Sequence, residues 1–187
     1  MFRIPPVMAP GILPLAELSA ARLDGDLFAV DECWVCADEP DGSEIRAEAL
    51  SRLLPPSSDR LIVMGISAAW LHAATDVPPP RHEACSRLGE RSTPMLTRRF
   101  VLRELLLADA DVERIGPVRV TTPVRTAFDL ARRTTLSAPE LRALATLVGD
   151  HGVCPADATD GIRATLPGAR LAIERIAALW NQPPLTR

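Results

Sequence analysis

The amino-acid sequence predicts an α+β fold in two parts, a helix plus hairpin followed by a mixed α/β region with a helical C-terminal end. Apolar residues recur at helical spacing over 15–23, and two short apolar runs, 27–30 and 33–36, then indicate strands. A proline- and serine-rich stretch, 54–59, precedes a second series of strands and helices. From Val124 onward the pattern is helical, and each helix has a proline at or near its first turn.

The N-terminal part is predicted to be small. Residues 1–14 contain four prolines, which interrupt any continuous helix, so we expect a loose arm. Residues 15–58 hold the first helix, the hairpin and a second helix, which runs from about Ser43 to Leu54 and is capped by Asp41 or Ser43.

The second part, 59–187, is predicted to begin with a strand at 61–64, which leads into a helix that Ser67 caps. Two of the later strands are expected to pair with each other around the loop 89–97. The later strands are predicted at 82–88, 98–105, 112–115 and 118–121. The later helices are predicted at 124–133, 139–148, 155–165 and 168–180.

Composition excludes several catalytic classes. All 21 basic residues are arginines, because the sequence contains no lysine, and it contains no tyrosine. A Walker A phosphate loop, a Ser-x-x-Lys nucleophile, a Schiff-base lysine and a tyrosine nucleophile are therefore excluded. No apolar run reaches the roughly 18 residues that a membrane helix needs. We expect a cytoplasmic protein that makes no membrane contact.

The charge is distributed unevenly along the chain. Residues 1–59 hold four arginines and eleven acidic residues, a net charge of −7, whereas residues 60–187 hold seventeen and thirteen, a net charge of +4. Because arginine and lysine supply most phosphate contacts, the acidic N-terminal part would repel nucleic acid. Any surface for an anionic partner is therefore predicted in the second part.

The most informative local sequence is Val120-Thr121-Thr122-Pro123-Val124-Arg125-Thr126-Ala127-Phe128-Asp129-Leu130-Ala131-Arg132. Thr122 is a good N-cap, and Pro123 suits the first helical position, where a missing amide proton is harmless. Apolar residues at i, i+3, i+4 and i+7 then give the helix one buried face. The segment is predicted to join a strand directly to an amphipathic helix.

The opposite face of this helix is charged. Arg125 and Asp129 lie one turn apart, and Arg132 and Arg133 follow, so Asp129 is expected to hold one or two guanidinium groups in a fixed orientation. Two interpretations remain open. The cluster either stabilises the junction between strand and helix or displays arginines to a partner.

This segment resembles the Thr-[Thr/Ser]-Pro-x-Arg-Thr-x-x-Asp-Leu-Ala signature of the C-terminal domain of AbiEi-type antitoxins, which belong to bacterial type IV toxin-antitoxin systems. Further segments resemble parts of that domain in the same order. These segments are 66–72, 78–81, 109–122 and 166–168, and residues 46–54 resemble the helix that usually precedes them. The resemblance extends over residues 15–180.

The resemblance implies a two-part antitoxin. An N-terminal winged helix would bind the operon's DNA, and the C-terminal domain would assist repression and neutralise a nucleotidyltransferase-like toxin. In this sequence a single helix precedes the hairpin, so residues 15–58 correspond to a reduced, acidic winged-helix-like unit and residues 59–187 to the antitoxin domain. The predicted function is non-catalytic binding of such a toxin, of operon DNA, or of both. The alternative is a DNA-binding transcriptional regulator without a cognate toxin.

Arginines of the second part are the candidate binding residues. Several lie on or beside the two strands expected to pair, where alternation places some of them on one face. Glu83, Glu90 and Glu104 interleave with them, so a solvated face with cross-strand ion pairs is the alternative. An arginine-lined surface also suits an acidic protein partner. The candidates are Arg87, Arg91, Arg98, Arg99, Arg103, Arg125, Arg132 and Arg133.

No metal site, cofactor or catalytic residue is predicted. Cys33 and Cys36 have the spacing of a zinc or redox pair, but residues three apart in a strand face opposite sides, and their acidic neighbours disfavour a thiolate. His82 and Cys85 would have to complete a zinc site, and nothing in the spacing brings them near the first pair. None of the three histidines has a nucleophile-elbow serine or cysteine beside it.

Overall fold

The computed structural model describes residues 6–9, 11–54, 58–90, 98–159 and 161–182. Arg91, one of the candidate residues, lies outside the described residues. Within these ranges the chain forms six α-helices, short 3-10 turns and two β-sheets, which confirms the predicted α+β class. None of the helices described is long and apolar enough to cross a membrane.

The N-terminal part is a small antiparallel sheet with two helices. Strands β1 (Val7–Met8), β2 (Leu27–Val30) and β3 (Cys33–Cys36) are arranged in the order β1-β3-β2. Helix α1 (Leu15–Asp24) connects β1 to β2, and helix α2 (Ser43–Leu53) follows the sheet.

The structure differs from the sequence prediction at two places in this part. The loose arm predicted over 1–14 contains β1, because Val7 and Met8 pair with β3 and both are buried in apolar clusters. Neither Asp41 nor Ser43 caps α2; Gly42 occupies the N-cap position without a side-chain hydrogen bond. Arg46 instead donates two hydrogen bonds, of 2.8 and 2.7 Å, to the Asp41 carboxylate.

The second sheet has five strands in the order β6-β5-β4-β8-β7. The strands are β4 (Ile62–Val63), β5 (His82–Arg87), β6 (Phe100–Leu105), β7 (Val112–Ile115) and β8 (Val118–Thr121). β5 and β6 do pair, but they run parallel and do not form a hairpin. Parallel pairing requires a crossover of a dozen or so residues, and the connection over 88–99 is long enough to provide it.

Four helices complete this part: α3 (Gly65–Leu71), α4 (Pro123–Ala131), α5 (Ala138–Gly149) and α6 (Ala169–Trp180). Ser67 does not cap α3, since it lies inside the helix and Met64 holds the N-cap position. The helix predicted over 155–165 is replaced by two 3-10 turns, Asp157–Thr159 and Gly161–Thr165.

The two parts share one apolar core. Val35 and Leu50 of the N-terminal part cluster with Val63 and Val120, which lie on one face of the five-stranded sheet. A second core joins α4, α5 and α6. The opposite face of the sheet has only a small apolar cluster, which includes Ile62 and Met64. Fewer apolar residues therefore cover that face of the sheet, and the candidate site lies on it.

Candidate functional site

Arg125, on α4, is the centre of a buried ionic cluster. Its Nε donates a 2.8 Å hydrogen bond to Asp129, and its Nη1 donates at 2.8 Å to Asp111 and at 3.1 Å to the Leu106 carbonyl. The three charged side chains are at most 1% exposed. Arg125 Nη2 has no hydrogen-bond partner among the described residues. Because an unpaired buried charge is costly, each member of the cluster depends on the others.

Two further arginines extend the cluster to the surface. Arg163 donates to Asp111, and Arg132 Nε donates to Asp129 Oδ1 at 2.9 Å. The expectation that Asp129 holds one or two guanidinium groups is confirmed, because it holds those of Arg125 and Arg132. Arg125 is fully buried and therefore has a structural role. The Arg132 side chain is 23% exposed and is accessible from the surface.

The junction before α4 positions this cluster. Thr122 occupies the N-cap position and its hydroxyl accepts a 3.3 Å hydrogen bond from the Arg125 amide, while Pro123 holds the first helical position. Burial disfavours the charged form of Arg125, but Asp129 and Asp111 raise its pKa above the ordinary value. Arg125 therefore remains charged inside the protein.

Arg133 forms a second cluster one residue beyond Arg132. It donates to Glu83 of β5 and to Glu140 of α5, and Glu83 also accepts a 3.3 Å hydrogen bond from the Ile66 amide. Gly65 has φ +58°, and a Cβ there would lie 1.8 Å from Glu83 Oε2. Only glycine leaves room for the Glu83 carboxylate at this turn.

A third cluster, which sequence reasoning missed, joins the two parts of the protein. Asp31 Oδ2 lies 2.7 Å from His82 Nε2, and His82 Nδ1 lies 3.1 Å from Ser67 Oγ. Ser67 and His82 are 0% exposed, and Ser67 Oγ already accepts a hydrogen bond from the Glu83 amide. A substrate could not reach Ser67 unless the N-terminal part moved away, so the geometry favours a structural role over hydrolysis.

Arg99 belongs to the same cluster. Its guanidinium donates to Asp31 and to the Pro80 carbonyl, and Nε lies 2.8 Å from Glu32. Arg99 therefore links the β2–β3 turn to the start of β6. Arg98, next to it, is exposed.

The remaining candidates on the strands lie on the less covered face of the sheet. The register pairs Ile62 with Cys85 and Cys85 with Arg103, so Arg103 and Arg87 project from that face. Two arginines that sequence reasoning did not select, Arg114 and Arg119, pair directly across β7 and β8 on the same face. We call Arg87, Arg103, Arg114 and Arg119 the arginine face.

A cleft of about 420 Å³ lies at one side of the arginine face. Arg103, Arg132 and Arg133 line it together with Asp129, and its apolar wall includes Met64 and Leu171. We call this the arginine cleft. The structure therefore brings together three of the predicted candidates, which lie on β6 and at the end of α4, in one concave site.

The cysteines and histidines form no comparable site. Burial raises the pKa of the Cys33 thiol to about 11 and that of the Cys85 thiol to about 12, which disfavours reactive thiolates. Among the described residues, no group of three or more histidine, cysteine or acidic side chains is arranged to hold a metal ion.

Residues 61–151 match the family model for the AbiEi antitoxin C-terminal domain. These residues form an AbiEi antitoxin C-terminal domain. This AbiEi domain contains the Thr122-to-Asp129 signature, all five strands of the second sheet and helices α3 to α5. Asp31 and Arg163, which bind buried groups of the domain, lie outside the matched residues.

The fold is similar to that of the RV2827C protein from Mycobacterium tuberculosis, known from a crystal structure. The two share 15% sequence identity at a TM-score of 0.53, and the alignment covers 96% of this chain and 73% of that one. At this identity the likeness concerns the fold alone. The aligned region of this chain includes residues on both sides of the AbiEi domain. No curated protein sequence matches the chain.

Proposed function

We propose that this protein acts by binding and without catalysis, as an antitoxin that binds a nucleotidyltransferase-like toxin directly. The observation that carries the proposal is the AbiEi antitoxin domain over residues 61–151. The arginine face and the side chains of Arg103, Arg132 and Arg133 in the arginine cleft all belong to that domain. The binding surface is therefore expected on the less covered face of the sheet.

The chemistry of this face suits an acidic protein surface. Arg103 has a side chain that is 55% exposed, and Arg114 is exposed beside Arg119. Guanidinium groups form paired hydrogen bonds with carboxylates, and complementary charge raises both the specificity and the rate of association. Because Arg114 and Arg119 repel each other across the strands, an acidic partner would also relieve that repulsion.

Co-expression tests the proposal. A tagged copy of this protein is expressed together with the nucleotidyltransferase-like protein encoded beside it, and we expect the two to co-purify and to relieve the growth arrest caused by the toxin. Arg103→Glu plus Arg119→Glu should weaken co-purification, while Arg142→Glu, which changes an exposed arginine of α5, serves as the control. Recovery of the two proteins as separate species, with growth still arrested, would reject the proposal.

The second candidate function is operon DNA binding, with or without a cognate toxin. The pairing of Arg114 with Arg119 favours it, because two arginines directly opposite each other on neighbouring strands concentrate positive charge, which attracts a polyanion. The net charge of −7 on residues 1–59 argues against contact through the N-terminal part. Binding to promoter DNA should weaken steeply with salt, and replacing both arginines with alanine should flatten that slope. Absence of binding at low salt would exclude this role.

A further inference from the structure

The arginine cleft contains guanidinium groups whose hydrogen-bonding capacity is only partly used. A guanidinium has five N–H donors. Arg103 has one ionic contact among the described residues, a distance of 3.8 Å to Glu83, which is longer than a hydrogen bond. Arg132 uses Nε for Asp129 and makes a 3.5 Å contact from Nη1 to the Pro167 carbonyl. Among the described residues, donors on both side chains therefore have no partner and are available to a ligand.

The cleft has the charge of an anion site. Three arginines and one aspartate line it, and both carboxylate oxygens of Asp129 already accept hydrogen bonds from arginines. Arg175 donates to the carbonyls of Ala131, Arg133 and Thr134, so the negative end of α4 beside the cleft is already neutralised. A negatively charged group in the cleft would thus meet unused donors and no free carboxylate of the lining.

The walls favour a carboxylate on a protein over a phosphate on a nucleic acid. Met64 and Leu171 provide an apolar wall that suits the methylene groups of an acidic side chain. None of the described residues that line the cleft has an aromatic side chain on which a base could stack. A planar carboxylate also fits the paired donors of a guanidinium, which bind it through two parallel hydrogen bonds.

We propose that the arginine cleft receives a glutamate or aspartate side chain of the protein partner, held by Arg103 and Arg132. This inference rests on the proposed antitoxin function, since it specifies how that partner is recognised. Arg133 is a positioning residue, because Glu83 and Glu140 occupy its guanidinium and fix the end of α4.

Nuclear magnetic resonance of the full chain tests the cleft without the toxin. A blocked triglutamate peptide is titrated at low ionic strength, and the arginine Nε–H signals are followed, with a blocked triglutamine peptide as the neutral control. We expect saturable shifts of the Arg103 and Arg132 signals with triglutamate alone. Arg103→Ala should weaken this binding about tenfold or more, whereas Arg142→Ala should leave it unchanged.

Arg103→Ala is the principal variant because its single 3.8 Å contact makes little contribution to the fold. Arg132→Lys keeps the charge beside Asp129 but removes the paired donors, and it should weaken peptide binding as well. Shifts that are absent, non-saturable or unaffected by Arg103→Ala would overturn the proposal. Shifts of the two signals by a DNA duplex and not by the peptide would also overturn it, because they would assign the cleft to phosphate.

Co-purification separates this inference from the proposed function. If wild-type protein and Arg103→Ala plus Arg132→Lys retain the toxin equally well, the cleft assignment is wrong and the antitoxin function stands. If the peptide binds in the cleft but wild-type protein does not retain the toxin, the anion site stands and the proposed toxin is wrong.

Discussion

Asp31, in the turn between β2 and β3, lies 2.7 Å from His82 of β5, although 51 residues separate the two in the sequence. A carboxylate can only accept a hydrogen bond, so this contact places a proton on His82 Nε2, while His82 Nδ1 lies 3.1 Å from Ser67 Oγ. His82 therefore donates to Asp31, and the same carboxylate also accepts from Arg99. This contact fixes the N-terminal part against the AbiEi domain.

Replacing Asp31 should destabilise the protein. Asp31→Ala leaves His82 and Arg99 without this acceptor and should lower the free energy of unfolding by about 2–4 kcal/mol, measured by urea denaturation. Asp31 has φ +54°, a conformation that asparagine tolerates, and Asp31→Asn keeps one carbonyl oxygen as an acceptor. The stability of Asp31→Asn should therefore lie between that of the wild type and that of Asp31→Ala. Asp38→Ala, at an exposed acid of the same part, is the control. Equal losses for Asp31→Ala and Asp38→Ala would contradict this role.

Arg125 should be essential to the stability of the AbiEi domain. Arg125→Met removes the central guanidinium and leaves Asp111 and Asp129 buried with one arginine each. Loss of one partner from a buried ion pair costs about 3–5 kcal/mol, and we expect a loss of that size in urea denaturation. Arg142→Met, on the exposed face of α5, should change stability little. A loss for Arg125→Met below about 1 kcal/mol would show that the cluster adds little.

Gly65 and Gly149 offer a matched pair of substitutions. Gly65→Ala places a Cβ against Glu83 and Arg133 at φ +58°, so it should destabilise the protein by more than about 1 kcal/mol. Gly149, the last residue of α5, has open space where a Cβ would lie, and Gly149→Ala should be neutral or slightly stabilising. Thermal denaturation of the two variants side by side measures the difference. Similar melting temperatures would show that the turn before α3 tolerates a side chain.

His72 should make stability depend on pH. Burial lowers the pKa of His72, although its 2.7 Å contact with the Thr121 carbonyl and the nearby Glu113 oppose this shift. The folded protein then binds fewer protons than the unfolded chain, so the free energy of unfolding should fall as the pH drops from about 7 to 5. His72→Gln should reduce this fall. An unchanged pH profile for His72→Gln would contradict the assignment.

Two carboxylates should make stability depend on pH in a more acidic range than His72 does. Hydrogen bonds from Arg46 lower the pKa of Asp41, and those from Ser137 and Arg133 outweigh burial to lower the pKa of Glu140. Their stabilising contributions are present above the pKa values of the unfolded chain and are lost only below about pH 4.5. These two carboxylates therefore contribute little to the fall between pH 7 and 5.

Local patterns predicted the local elements well. The hairpin strands β2 and β3 and the strands β7 and β8 have the predicted bounds, and α4 begins within one residue of its prediction, because turn, cap and proline signals act over a few residues. The predicted pairing of β5 and β6 is confirmed, but the sequence between them does not encode whether the chain crosses over first, so their parallel direction could not be predicted.

Long-range contacts account for what sequence reasoning missed. Ser67 satisfies the N-cap preference, yet in the fold its hydroxyl contacts His82 and the Glu83 amide inside α3. Asp129 could be paired with Arg125 and Arg132 from helical spacing alone, whereas Asp111 and Arg163 reach the same cluster from distant turns. The strand order determines which arginines line the same cleft, and no local sequence pattern specifies that order.

The mass of the complex in solution tests the central claim, that this protein acts by binding a protein partner. The purified chain is mixed with the separately purified nucleotidyltransferase-like protein encoded beside it, and size-exclusion chromatography with light scattering measures the mass of each peak. We predict a single peak whose mass exceeds that of either protein and which Arg103→Glu plus Arg119→Glu splits into two. Two independent peaks for the wild-type mixture at low salt would contradict the claim.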